Sequence, residues 1–207
     1  MTIPVGPAEL DGDLVLPEEA EAVVLFAHGS GSSRRSPRNR FVAERLQQAG
    51  LGTLLFDLLT PIEADDRANV FDIFLLAERL VRATQWMHGR HERLRIGYFG
   101  ASTGAAAALW AAAAPELRIG AVVSRGGRPD LAGERLTEVT APTLFIVGGH
   151  DEVVLDLNQR AERLLGGPSQ LAVIPGATHL FEEPGTLEAA ADLAREWFTD
   201  HLAPQGP

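Results

Sequence analysis

The sequence contains no cysteine and no lysine, and it is poor in basic charge. The absence of cysteine excludes disulfides, a thiolate nucleophile and cysteine metal ligands. All 18 residues counted as Lys or Arg are arginine, against 28 acidic residues, and the net charge at pH 7 is −10. Because the phosphate backbone of nucleic acids attracts basic surfaces, this balance argues against a nucleic-acid partner.

Long apolar runs are also missing. The longest, such as residues 23–27, are far too short to cross a bilayer, so we expect no membrane partner. Residues 1–7 lack the basic stretch and following apolar stretch of a secretory signal. No spacing of histidines and carboxylates resembles a metal site. We therefore predict a cytoplasmic protein without a bound metal.

Length and hydrophobic patterning predict a single domain over residues 1–207, with residues 203–207 as a frayed tail. Continuous apolar segments alternate with amphipathic ones along the chain. Continuous apolar segments of five or six residues are typical of strands buried on both faces of a parallel sheet. The sequence thus predicts an α/β fold with a mostly parallel, doubly wound sheet of about seven strands, covered by helices on both faces.

The element boundaries follow from the same pattern. The predicted strands are residues 8–16, 22–27, 51–59, 95–99, 119–124, 142–147 and 170–174. The predicted helices are residues 37–49, 70–88, 103–114, 155–165 and 186–202. The first strand ends at Pro17 and is expected at a sheet edge. Residues 60–69 are predicted to be a polar loop, and residues 125–140 a connection with room for one helical turn.

Ser102 is the first candidate for chemistry. It lies in the pattern G-x-S-x-G, formed with Gly100 and Gly104, between a predicted strand and an alanine-rich predicted helix. A serine on a sharp strand-to-helix turn exposes its hydroxyl, and the flanking glycines let strand and helix pass closely. This context favours a nucleophile over an ordinary glycine-rich turn.

Asp151 and His179 follow later strands of the predicted sheet. In open α/β sheets, sites form at the carboxyl ends of the strands, where Ser102, Asp151 and His179 all fall in that order along the chain. A serine hydroxyl needs an imidazole to accept its proton, and a carboxylate orients that imidazole and stabilises its charged form. The tetrahedral oxyanion needs N–H donors. We expect these from the backbone of Thr103 and from the loop of residues 28–33, where Ser30 is preferred to Gly31.

With these motifs, the chain resembles the α/β-hydrolase superfamily and, more closely, its compact dienelactone-hydrolase-like branch. The resemblance extends over nearly the whole chain and rests on His28-Gly29, residues 100–104, Gly149-His150-Asp151 and residues 176–179. It implies Ser102 as nucleophile, His179 as base and Asp151 as acid, without a cofactor. Dienelactone hydrolases proper carry cysteine at the nucleophile position, and their carboxylate-binding arginines have no match here, so the reaction class is implied but the substrate is not.

Other residues remain alternatives for the base and the acid. His28 is expected to hydrogen-bond the oxyanion loop, and His150, adjacent to Asp151, is a rival base that is poorly placed to face that carboxylate. The rival acids are Asp57, Asp130 and Asp156.

Substrate contacts are expected from the loops around this site. The candidates are Gly31, Leu58, Leu59 and Arg125, with residues 60–69 as a further wall. The arginines of residues 34–40 either form a solvated face that pairs with acidic neighbours or attract anionic substrates to the cleft. The connection after the fifth strand is too short for a cap domain, which favours an open site and small to medium soluble ester or lactone substrates. An amidase, thioesterase or acyltransferase would use the same residues, and a non-catalytic binding protein of this fold is the remaining alternative.

Overall fold

The computed structural model describes residues 1–203, which form one eight-stranded sheet with helices on both faces. The strands are β1 (Thr2–Val5), β2 (Ala8–Val15), β3 (Ala22–Ala27), β4 (Gly52–Phe56), β5 (Arg95–Ala101), β6 (Ile119–Arg125), β7 (Thr143–Gly148) and β8 (Ser169–Ile174). The helices are α1 (Pro37–Gln48), α2 (Pro61–Ala64), α3 (Arg67–Val70), α4 (Ile73–Arg90), α5 (Thr103–Ala112), α6 (Glu152–Leu164) and α7 (Thr186–His201), and a 3-10 segment spans Pro129–Glu138.

The strand order is β1-β2-β4-β3-β5-β6-β7-β8. The five pairings from β4 through β3 to β8 are parallel, and β2 pairs antiparallel with β4. The carboxyl ends of the six parallel strands therefore meet at one edge of the sheet. The prediction of an α/β-hydrolase fold is confirmed, and residues 1–203 include no cap domain.

Strand alternation divides the core into two layers. Val23, Leu25 and Ala27 of β3 face the layer beneath α4, α5 and the 3-10 segment. Val24 and Phe26 of the same strand face the layer beneath α1 and α7. Successive side chains of a strand point to opposite faces, so apolar residues on both faces are what a doubly covered strand requires.

The first strand was missing from the sequence prediction. β1 pairs antiparallel with β2, with Thr2 opposite Asp11 and Val5 opposite Ala8, and it occupies the sheet edge. The expectation that residues 8–16 form that edge is therefore wrong. β1 has only two buried side chains, Ile3 and Val5, which is too short an alternation to recognise.

Residues 60–69 were predicted to be a polar loop, but this part of the chain forms the short helices α2 and α3. Thr60 caps α2 in a capping box with Glu63, and Asp66 caps α3. The helix that follows begins at Ile73 with Asp72 as its cap, later than predicted, because these two helices occupy the preceding residues. Residues 204–207, most of the predicted frayed tail, lie outside the described residues. Within residues 1–203, no helix combines the length and apolar character needed to cross a bilayer.

Candidate active site

Ser102 lies on a strained turn between β5 and α5. Its backbone has φ 52° and ψ −122°, a conformation that residues with a side chain rarely adopt. The flanking glycines are needed for this close packing. A Cβ on Gly100 would lie 2.4 Å from Ala105 Cα, and one on Gly104 would lie 2.1 Å from Ala27 O. The sequence pattern therefore corresponds to a real steric requirement.

His179 and Asp151 are joined by a short hydrogen bond. Asp151 precedes α6 and His179 follows β8, and Asp151 Oδ2 lies 2.6 Å from His179 Nδ1. The Asp151 side chain is 15% exposed and the His179 side chain 38%, so the carboxylate is sheltered while the imidazole reaches the surface of the cleft. This bond leaves Nε2 of His179 for a second partner.

The end of β6 brings His179 next to the Ser102 turn. Ala101 pairs with Arg125, and Ser102 N donates to Arg125 O at 3.3 Å, so Ser102 adjoins Gly126. A Cβ on Gly126 would lie 3.2 Å from His179 O and 3.6 Å from His179 Cε1. The hydrogen bonds among residues 1–203 include none from the Ser102 hydroxyl to His179, a common looseness in unliganded sites.

The alternatives for the acid and the base are engaged elsewhere. Asp57 pairs with Arg34, Asp130 makes two hydrogen bonds to Arg128, and Asp156 pairs with Arg160. His150 is exposed, while its backbone N–H donates to Ala177 O.

His28 ties the loop of residues 28–33 to the end of β4. Leu58 N donates to His28 Nε2 at 3.1 Å, so the neutral ring carries its proton on Nδ1, which donates to Gly29 O at 3.0 Å. Burial lowers the pKa of His28 below its ordinary value, which favours this neutral form. The expected structural role for His28 therefore agrees with its contacts.

The predicted oxyanion donors differ in availability. Thr103 is the first residue of α5, so its N–H lies directly after Ser102. The Ser30 N–H, by contrast, is not free, because it donates to Thr103 Oγ1 at 2.8 Å. The Ser30 N–H can therefore serve as the predicted oxyanion donor only by leaving this acceptor.

A cavity of about 560 Å³ lies beside the site, on the β4 side of the oxyanion loop. Gly29, Ser30 and Gly31 line it, and Gly29 also contacts Ser102, since a Cβ on Gly29 would lie 3.0 Å from Ser102 Cβ. Ser102 itself is not among the lining residues. The apolar part of the lining is Leu58, Leu59, Pro61, Ala64, Val70 and Leu76, which includes both leucines predicted from the sequence. The polar side chains are Glu9, Asp11, His28, Ser32, Ser33, Arg34, Arg35, Asp57 and Thr60.

Arg125, predicted as a possible substrate contact, does not line this cavity. Its side chain follows the strand alternation into the layer beneath α1 and is only 6% exposed. Nη2 lies 3.3 Å from Asn39 Oδ1, and the guanidinium lies 5.5 Å from the centroid of the Phe181 ring. Burial and the neighbouring Arg38 lower the pKa of Arg125 to about 10.

The arginines after the oxyanion loop are largely ion-paired. Arg34 contacts Asp57, Asp11 and Asp13, and its backbone N–H donates to Asp57 Oδ1 at 2.7 Å. The other two pairs of this cluster are Arg38 with Glu182 and Arg40 with Asp13. The ion-paired interpretation therefore describes these three arginines, and the pairs of Arg34 tie the loop to β2 and to Asp57 after β4.

Sequence reasoning missed two supports of the loops around the site. Glu183 accepts hydrogen bonds from Thr178 N at 3.0 Å and Thr178 Oγ1 at 2.6 Å, and these bonds lower the pKa of Glu183. Buried Asn158 of α6 donates to Gly127 O at 2.9 Å and so holds the segment after β6. A Thr five residues before a Glu was a weak local signal for the Thr178–Glu183 contact. The Asn158–Gly127 contact depends on tertiary structure alone. Within residues 1–203, the His, Asp and Glu side chains form no group of three or more suited to a metal ion.

The fold agrees with that of known proteins. The chain is 56% identical to a dienelactone hydrolase from Anabaena variabilis, with 98% of this chain and 96% of that one covered and a TM-score of 0.94. A serine hydrolase without a lid from Xanthomonas campestris has the same fold at 22% identity, with 100% and 95% covered and a TM-score of 0.79. No family model matches the sequence.

A curated relative from Mycobacterium tuberculosis is 62% identical over 204 residues, and its name assigns it provisionally to the phosphoribosyl transferases. The match covers 98% of this chain but only 46% of that protein, so the chain spans about half the length of the relative. More than half of the relative therefore lies outside the match. The 56% identity to the Anabaena enzyme extends over nearly all of both chains, and this chain belongs to the dienelactone hydrolase branch of the α/β hydrolases.

Proposed function

We propose that this protein is a serine hydrolase that cleaves carboxylic esters or lactones through an acyl-enzyme. The observation that carries the proposal is the arrangement of Ser102 on a positive-φ turn beside the hydrogen-bonded pair of His179 and Asp151. A nucleophile, a base and an orienting carboxylate at one sheet edge are the parts that acyl transfer requires.

The proposed reaction has two halves. Ser102 Oγ attacks the carbonyl carbon while His179 Nε2 takes the hydroxyl proton, and Asp151 stabilises the imidazolium through Nδ1. Collapse of the tetrahedral intermediate breaks the ester bond, and His179 gives its proton to the leaving alcohol. Water then attacks the acyl-enzyme and loses a proton to His179. The bond to Ser102 Oγ breaks as His179 returns that proton to the serine, which releases the acid and restores the enzyme.

The cavity beside the oxyanion loop supports a substrate with an apolar group of small to medium size. Its volume of about 560 Å³ is in the range of small-molecule sites, and its floor of leucine, valine, alanine and proline suits an apolar group. Charged side chains such as Glu9 and Arg35 line its remaining wall and favour a substrate with a polar end. We expect short and medium acyl esters to be better substrates than long-chain lipids.

The same residues would serve an amidase, a thioesterase or an acyltransferase, which differ only in leaving group or acceptor. Two features favour esters or lactones: the identity to a dienelactone hydrolase, and an open site without a cap domain among residues 1–203. The phosphoribosyl transferase name belongs to a protein of more than twice the length of this chain. Retention of the fold for binding alone would leave the strained turn and the His179–Asp151 bond without a use.

The test is hydrolysis of nitrophenyl esters of increasing acyl length by wild type and Ser102→Ala. A matched control is Ser169→Ala, the same change at the start of β8, away from the loops that form the site. We expect activity in wild type and Ser169→Ala and its loss in Ser102→Ala. Equal hydrolysis by wild type and Ser102→Ala would remove the mechanism, and absence of hydrolysis of every ester, amide and thioester tried would favour the binding alternative.

A further inference from the structure

The hydrogen bond between the oxyanion loop and the residue after the nucleophile has a chemical consequence. Ser30 N–H donates to Thr103 Oγ1 at 2.8 Å, although the two residues are 73 positions apart. Thr103 is buried, at 5% exposure. A hydroxyl both accepts and donates, and within residues 1–203 the hydrogen bonds of Thr103 Oγ1 include only this one, so no protein group among these residues accepts its proton.

This bond changes what the Ser30 amide can do. An N–H that already has an acceptor at 2.8 Å would have to abandon it before donating fully to a substrate oxygen. The Thr103 hydroxyl, however, is polarised by accepting that N–H, which makes its own proton a better donor. The hydroxyl belongs to the same residue whose backbone N–H is the first predicted oxyanion donor, so both groups of Thr103 lie at the nucleophile turn.

We propose that the Thr103 hydroxyl is a catalytic residue, the second direct donor to the oxyanion, and that Ser30 is a positioning residue that acts through it. This inference rests on the proposed hydrolase function. As the carbonyl oxygen becomes negative, the hydroxyl rotates its proton toward that oxygen while it continues to accept from Ser30 N–H. The proton stays on Thr103 throughout, and no bond is made or broken at this residue.

The contribution belongs mainly to the transition state. In the resting protein the hydroxyl already serves as an acceptor, and its donor capacity becomes valuable only when charge develops on the substrate oxygen. Loss of the hydroxyl should therefore lower kcat and leave KM nearly unchanged. Removal of one oxyanion donor from a serine hydrolase typically costs on the order of 10²-fold to 10³-fold in kcat.

Thr103→Val and Thr103→Ser test the proposal. Valine keeps the shape and removes the hydroxyl, whereas serine keeps the hydroxyl. We expect Thr103→Val to lose on the order of 10²-fold in kcat with KM within a few-fold, and Thr103→Ser to stay within a few-fold of wild type. If the Ser30 amide is instead the direct donor, Thr103→Val frees that amide, and its kcat will equal or exceed that of wild type, which would overturn the proposal.

A boronic acid that forms a tetrahedral adduct on serine separates catalysis from loop support. We expect Thr103→Val to bind it on the order of 10²-fold more weakly, while its KM and melting temperature stay close to those of wild type. The proposal would be overturned if boronate affinity and melting temperature fall together, KM rises, and Thr103→Ser does not restore them. The hydroxyl would then have only a structural role. Failure of the hydrolase function itself looks different: wild type would then hydrolyse no faster than Ser102→Ala.

Discussion

Gly104→Ala should disrupt the packing on which the nucleophile turn depends. Gly104 lies in the first turn of α5, where the helix crosses the end of β3. The added Cβ would lie 2.1 Å from Ala27 O and 2.5 Å from His28 O. Real Cβ contacts essentially never fall below 3.0 Å, so α5 and the start of the oxyanion loop must separate by about 0.9 Å.

The size of the effect follows from this displacement. Both obstructing atoms are backbone carbonyl oxygens, that of Ala27 at the end of β3 and that of His28 directly after it, and neither can swing away as the end of a side chain would. We expect a destabilisation near the upper end of the range for overpacked cores, about 3 kcal/mol, or a fall in melting temperature of about 6–12 °C for a chain of this length. A shift of about 1 Å between nucleophile and oxyanion loop should also lower kcat/KM by about 10²-fold.

Gly89→Ala is the matched control. Gly89 lies near the end of α4, and a Cβ there would have nothing within 4 Å. This change should be neutral or stabilise by up to about 1 kcal/mol, because alanine costs less backbone entropy than glycine in a helix. Thermal unfolding and ester hydrolysis measured on both variants decide the matter. Gly104→Ala melting within 2 °C of wild type, at about full activity, would refute the steric argument.

Three further predictions concern buried or paired charges. Burial lowers the pKa of His28, so as the pH falls the unfolded chain binds a proton at this residue before the folded chain does. The stability that comes from neutral His28 should therefore be complete above about pH 6.5 and decline below it. The melting temperature of His28→Gln should then depend less on pH between 5 and 7.5 than that of wild type. An equal slope in both proteins would contradict this. Arg125 is a buried cation without a carboxylate partner within residues 1–203, and its Nε has no hydrogen-bond partner there. Arg125→Met should therefore raise the free energy of unfolding by on the order of 1–4 kcal/mol. A melting temperature below that of wild type would argue against this prediction. Asp151→Asn should lower kcat by about 10⁴-fold, whereas Asp130→Asn should change it little; similar losses in both would mean that the acid is misassigned.

Much of the site was predictable because each motif is local. Residues 100–104 carry the turn, and Asp151 and His179 each lie in the loop that follows a strand, so a parallel sheet must bring them to one edge. The capping box at Thr60 and Glu63 was also present in the sequence, and it identifies α2 once the segment is not dismissed as polar.

The remaining features depend on tertiary contacts that no local pattern encodes. The bond from Ser30 to Thr103 joins residues 73 positions apart, and its donor was expected to bind the oxyanion. Arg125 ends a strand at the catalytic edge, but period-two alternation places its side chain with Val123 in the layer beneath α1 rather than in the cleft. That alternation could have been applied to the sequence, whereas the pairing of a hydroxyl with a distant amide could not.

The most direct test of the central claim is the site at which a serine-reactive fluorophosphonate attaches, mapped by mass spectrometry of the digested protein. The account predicts one adduct, on Ser102, absent from Ser102→Ala and formed at least about 10³-fold more slowly in His179→Ala, because the imidazole must take the hydroxyl proton. An unmodified Ser102 in folded protein, or an adduct rate that does not depend on His179, would contradict it.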